Sequence, residues 1–218
     1  MGANPTYNEP ETIGETVPFD VDGAVRRVHL YIPEGATGAS VLLLHGANRT
    51  GRSMLDMWRA EADRSGTVLI APDAAGDSWN PEADPPQFLI AALNAAVKKV
   101  QLDHDRLFMF GHSSGGLLAQ LYANQVPGPW RAVATHGAAV PVQALRSPAA
   151  KPVPVRLYLG AGDHLFPPRR GRMTADALIA AGHPVDLVTI NRHTHWYYTI
   201  GPWIARDCAD WFAAQPAP

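Results

Sequence analysis

A chain of 218 residues can build one substantial core and has little room for two domains. It is 46% hydrophobic and 17% charged with a formal net charge of -2, a globular composition with no basic excess for nucleic acid or an anionic membrane. Cys208 is the single cysteine, which excludes an intrachain disulfide, and no run approaches the roughly 20 apolar residues of a membrane span.

Residues 1–15 are polar and contain Pro and Gly, so a loose N-terminal arm is expected there. The stretch has no apolar core of signal-peptide length, which makes a cytoplasmic location the expectation, with secretion after removal of a signal sequence as the alternative. TVPFDVDGAVRRVHLYIP reads as a hairpin around Asp22-Gly23. SVLLLHG is a continuous apolar run, as in a strand covered on both faces. A helix follows, with Met54, Met57 and Trp58 at core spacing and Gly66 as its stop, and TVLIAPD is a second buried strand. PPQFLIAALNAAVKKV is a helix with Leu89, Leu93, Val97 and Val100 on one stripe. RLFMFGH, RAVATHG, PVRLYLGAGD and PVDLVTINRH are further strands. Helices are expected over SGGLLAQLYANQ, over RMTADALIAAG with Gly182 at its end, and over PWIARDCADWFAA with Pro202 at its start. The α/β alternation implies a mainly parallel sheet of about eight strands, with helices on both faces and an antiparallel edge, in one domain from residue 16 to 218.

Ligands of such sheets bind beyond the carboxyl ends of the strands, so reactive residues belong just after apolar runs. Gly111-His112-Ser113-Ser114-Gly115 fits G-x-S-x-G at one such end. A turn that sharp brings Ser113 close to the residues two positions either side, which therefore need almost no side chain. It also pushes the hydroxyl outward, and the helix that starts there aims free N–H groups at developing negative charge.

A serine nucleophile needs a base, and the base an orienting acid. No Asp or Glu occurs between Ser113 and Gly162. Asp176 falls inside a helix and Asp186 at the start of a strand, whereas Asp163 follows a strand end. His183 precedes a strand and His164 adjoins the acid, while His193 and His195 both follow PVDLVTI and position alone does not separate them. Backbone N–H groups of Ser114 and Ala47, with Asn48 as the alternative to Ala47, are the expected oxyanion donors. Losing one typically costs ~10²–10³ in rate. His45 and His112 read as hydrogen-bonded structural residues. His164, His193 and His195 with Asp163 lack a recognised metal-site spacing, so neither metal nor cofactor is expected.

LLLHGANRTG, DHDRLFMFGHSSGG, GAGDHLFPP and HTHWYY resemble the α/β-hydrolase superfamily over about residues 17–213. They are most similar to small serine esterases grouped with polyhydroxyalkanoate depolymerases, feruloyl esterases and dienelactone-hydrolase-like proteins. The resemblance implies the order Ser113, Asp163, His195, and its aromatic-rich segment after the base favours His195 over His193. It implies ester hydrolysis through an acyl-enzyme, with a small-molecule or oligomeric ester as substrate; composition points to no nucleic-acid or membrane partner, and monomer and homodimer both stay open. Secreted depolymerases of this kind carry disulfides and often a binding domain, which argues against a crystalline polymer here. The segment 137–152 is too short for much of a lid, so an open cleft is expected, with Trp79, Phe166, Trp196 and Tyr197 near enough to line it. A thioesterase or peptidase using the same residues, and a binder without activity, are the alternatives.

Overall fold

The computed structural model describes residues 4–216. Its single sheet has eight strands in the order β1-β2-β4-β3-β5-β6-β7-β8. β1 (Glu15–Val21) and β2 (Ala24–Tyr31) form the antiparallel hairpin expected around Asp22-Gly23, and β2 also runs antiparallel to β4 (Val68–Pro72). The remaining pairs are parallel and bring together β3 (Ser40–Leu44), β5 (Leu107–His112), β6 (Val133–His136), β7 (Val155–Gly160) and β8 (Val185–Ile190).

Every residue of β3, β4 and β5 is buried, which accounts for their unbroken apolar sequences. Alternation still sorts the side chains. Leu42, Leu44 and Met109 face a core shared with α2 (Pro86–Val97), α3 (Ser114–Gln125) and α4 (Pro168–Ala180). Val41, Leu43 and Phe110 face another, closed by α1 (Gly51–Ser65) and α5 (Gly201–Ala213) through Met54, Trp58, Ile204 and Phe212. The chain leaves β3 toward β4 and then crosses back to β5 on the other side. The carboxyl ends of β3 and β5 therefore flank the point where strand order reverses, the position where open α/β sheets form a crevice.

α1 begins at Thr50, whose hydroxyl accepts from Arg52 N, and ends at Gly66, whose left-handed backbone (φ 70°) caps Ala62 O. The stripe expected on α2 is shorter than its sequence suggests. The helix stops at Val97, which is 46% exposed, and Val100 lies beyond it in the turn through Lys98 and Lys99, so Phe88, Leu89, Ala92 and Ala96 form the buried face. Between β6 and β7 the only helical element among the described residues is a short 3-10 turn, Val142–Leu145, so no lid covers the strand ends.

The N-terminal arm departs from the loose segment expected over residues 1–15. Residues 1–3 lie outside the described residues, but the chain from Tyr7 onward is strapped across α1. Tyr7 stacks on Tyr198 at 4.1 Å and donates to Asp56, Glu9 accepts from the Thr50 N–H and hydroxyl, and Ile13 is buried. Specific polar and aromatic partners hold a stretch whose composition reads as solvent-exposed. Among the described residues no helix is long and apolar enough to cross a membrane.

Candidate active site

β5 hands over to α3 at Ser113, which takes φ 52°, ψ −118°, a backbone conformation rare for a residue with a side chain. Two glycines make the turn possible. A Cβ on Gly111 would lie 2.4 Å from Gly115 O, and one on Gly115 would lie 2.4 Å from Leu44 O and 2.6 Å from His45 O. These are backbone atoms and cannot swing aside. Gly115→Ala is therefore expected to cost about 2–3 kcal/mol, lowering Tm by roughly 6–10 °C. Gly76→Ala, where nothing lies within 4 Å of the new Cβ, should melt like the parent in the same thermal scan.

The Ser113 hydroxyl is 2.9 Å from His195 Nε2, and His195 Nδ1 is 2.8 Å from Asp163 Oδ2. A carboxylate only accepts, so Nδ1 carries the proton and Nε2 is left to accept from Ser113. The Asp163 side chain is fully buried, and its other oxygen accepts from Leu165 N at 2.8 Å and Phe166 N at 2.9 Å. Burial pushes the Asp163 carboxyl up, but hydrogen bonds from His195 and these two N–H groups outweigh it and hold the carboxyl below its ordinary range.

His193, the other histidine after β8, faces away from Ser113. Its Nε2 is 2.9 Å from His136 Nε2, and His136 Nδ1 is 3.0 Å from His112 Nδ1. The three buried rings form a chain across the ends of β5, β6 and the loop after β8. A neutral imidazole offers one donor and one acceptor, so His136 uses both. Burial lowers all three, His112 to about 3 and His136 well below the usual imidazole range. The chain bridges the segments that carry the triad, since Ser113 N donates to His136 O and Gly162 N to His193 O.

The Ala47 and Ser114 N–H groups have no acceptor among the described residues. Asn48 N donates to Asp77 O at 2.7 Å, which removes it as the alternative donor, and its side chain is exposed. His45 fixes the turn before Ala47: its Nε2 accepts from Ala74 N, so Nδ1 is the donor to Gly46 O.

The four aromatics expected around a cleft divide. Phe166 lies with its ring 5.5 Å from that of His195 and lines an adjoining cavity, and Trp196 is half-buried against Tyr198. Trp79 and Tyr197 are not cleft residues. Trp79 is buried, donates to His45 O at 2.8 Å and packs on His45 and Phe88. Tyr197 is wholly buried, and its hydroxyl accepts from Trp58 Nε1. Their polar atoms have partners inside the protein, which turns both rings inward.

A family model described as serine aminopeptidase, S33, matches residues 35–170. The chain belongs to this α/β-hydrolase family. The oxidized polyvinyl alcohol hydrolase of Sphingopyxis sp. (strain 113P3) is 33% identical over 101 residues, covering 41% of this chain and 28% of that protein's length. Solved structures of other α/β-hydrolases share the fold. Esterase PE8 matches with a TM-score of 0.70 and 21% identity over 84% of this chain and 97% of its own. A ferulic acid esterase matches with 0.73 and 17% over 92% and 96%. The poly(3-hydroxybutyrate) depolymerase LpqC of Bordetella parapertussis matches with 0.65 and 18% over 94% and 91%.

Proposed function

We propose that this protein hydrolyses carboxylic esters through an acyl-enzyme on Ser113. The observation that carries this reading is the unbroken hydrogen-bond series from Asp163 through His195 to Ser113, beside two N–H groups without acceptors among the described residues. His195 Nε2 takes the Ser113 proton as Oγ attacks the ester carbonyl. The Ala47 and Ser114 N–H groups receive the oxyanion, and His195 returns the proton to the leaving alcohol. Water then enters by the same route and frees the acid. Asp163 holds the ring in the tautomer this needs and stabilises the imidazolium. Membership of the serine aminopeptidase family and the esterases of the same fold support the reaction class.

The family's description also suggests an aminopeptidase, which must hold a protonated amine near the scissile bond. The cavity beside Ser113 has no carboxylate in its lining, and Asp163 is already engaged by three donors. This favours an ester over an N-terminal peptide. The relative named for oxidized polyvinyl alcohol makes that polymer a second substrate to assay.

A fluorophosphonate probe should label one residue, Ser113, and abolish hydrolysis of 4-nitrophenyl esters from acetyl to dodecanoyl in proportion to labelling. Tryptic mass spectrometry locates the label, and a label elsewhere or no turnover of any ester would overturn the reading.

A further inference from the structure

A cavity of about 320 Å³ lies between α3, the loop after β6 and the start of α4, and two of its lining residues, Leu117 and Phe166, adjoin Ser113 and His195. Leu117 forms its wall one helical turn from Ser113, where Leu117 N bonds Ser113 O, and Phe166 forms the wall next to His195. Between them lie Ala139 and Val140. Buried side chains pin this segment. Gln120, fully buried in α3, donates to Ala138 O and accepts from Val140 N, and the Thr174 hydroxyl of α4 donates to Val140 O. The wall is thus formed in advance of any ligand, as small-molecule sites commonly are.

The lining is mainly apolar, with one charged residue, Arg170. Its side chain makes no ion pair among the described residues, and neither do those of Arg169 and Arg172. All three stand in the first turns of α4, where the helix dipole is positive and cations are disfavoured. No carboxylate occurs between Ser113 and Gly162, the stretch that builds the facing walls, although the whole chain carries a net charge of -2. Arg170 therefore stands at an apolar pocket against the local electrostatic preference, with no ion-pair partner among the described residues to account for it.

We propose that this pocket holds one limb of the ester and that the preferred substrates carry a carboxylate at the far end of that limb, bound by Arg170. The inference rests on the esterase reading above and narrows it to a chemical class: half-esters of dicarboxylic acids, or esters whose alcohol bears an acid. The guanidinium fork suits a carboxylate in two-point contact, and the apolar walls suit the chain leading to it. Arg170 is then a specificity residue that never touches the scissile bond.

The test compares kcat/KM for two pairs of esters matched in size. On the acyl side they are 4-nitrophenyl hydrogen suberate and 4-nitrophenyl octanoate; on the alcohol side, 4-acetoxybenzoate and 4-acetoxybenzamide. One acidic ester should be favoured over its neutral partner. Arg170→Gln should lower its kcat/KM about 10-fold, mostly through KM, and change the neutral partner less than about 2-fold. Added salt should shrink the wild-type preference. Arg131→Gln, on a residue outside this pocket, should leave it unchanged. The responding pair tells whether the pocket takes the acyl or the alcohol limb. If neutral esters are hydrolysed and Arg170→Gln affects charged and neutral partners alike, the carboxylate proposal is overturned and the esterase stands. If wild type hydrolyses none of the four, both readings fall.

Discussion

Ser113→Ala should reduce kcat for ester hydrolysis by ~10⁶-fold while the melting temperature stays within a few degrees. The hydroxyl's bond to His195 is the one side-chain hydrogen bond seen for Ser113 among the described residues, so little folding energy depends on it. Asp163→Asn should cost less in rate, ~10⁴-fold, and for a different reason. Leu165 N and Phe166 N both donate to one oxygen of Asp163. In the amide variant the remaining oxygen must stay with these two donors, which turns the NH₂ toward His195 Nδ1. That nitrogen must then accept, the proton moves to Nε2, and the ring can no longer take the Ser113 proton. Single-turnover kinetics of 4-nitrophenyl acetate would measure both losses. Full activity in the alanine variant would remove Ser113 from the reaction, and full activity in the amide variant would place the orienting acid elsewhere.

The second large effect is on stability. His112 and His136 are buried in contact with each other, and burial is the main reason both titrate far below an ordinary imidazole, His112 at about 3. Above about pH 6.5 each is neutral whether the chain is folded or not, and the pair contributes no pH dependence. Below that, the unfolded chain binds a proton at each site and the folded chain does not, so acid favours unfolding. His112, whose folded value is about 3, contributes about 1.4 kcal/mol per pH unit, or about 2 kcal/mol between pH 6.5 and 4.5, and His136 acts in the same direction. Against a typical total of about 5–15 kcal/mol, His112 alone removes a large share of the margin. His45, His183 and His193 are also lowered by burial and act in the same direction. Urea titrations at both pH values should show the loss. His136→Gln should flatten the slope by about one proton, even where it lowers stability at neutral pH. An unchanged slope in that variant would mean His136 accepts a proton inside the folded protein.

The strand–helix alternation was legible because buried parallel strands leave continuous apolar runs, and only their sheet order required the structure. Among the candidate residues, the expectation that reactive groups follow strand ends singled out Ser113 and Asp163 but left His193 and His195 tied. The two differ in which side of the loop they face, and their neighbours His136 and Ser113 come from other strands, so no local pattern separates them. Trp79 and Tyr197 lie near strand ends as a cleft residue would, yet turn inward because His45 O and Trp58 Nε1 meet their polar atoms. The pocket beside Ser113 combines Leu117, Val140 and Arg170 from three elements, and such a cavity leaves no one-dimensional trace. Gln120 and Asn124 are buried polar side chains in α3, and of these Gln120 bonds the pocket's wall.

The strap from Tyr7 to Ile13 has a consequence for how this protein fails. Its grip falls on the segment that leads from Ala47 into α1: Glu9 holds Thr50, and the Arg49 guanidinium lies over both stacked rings, Tyr7 and Tyr198, at 5.3 and 5.2 Å. These contacts lie largely outside the sheet, and peripheral segments open at far lower free energy than core strands. Warming would release the strap first, freeing the peptide that carries the Ala47 N–H while all eight strands remain paired. The protein would then pass through a state that keeps its circular dichroism and has lost its turnover, so thermal inactivation and thermal unfolding are separate events, set by different parts of the chain.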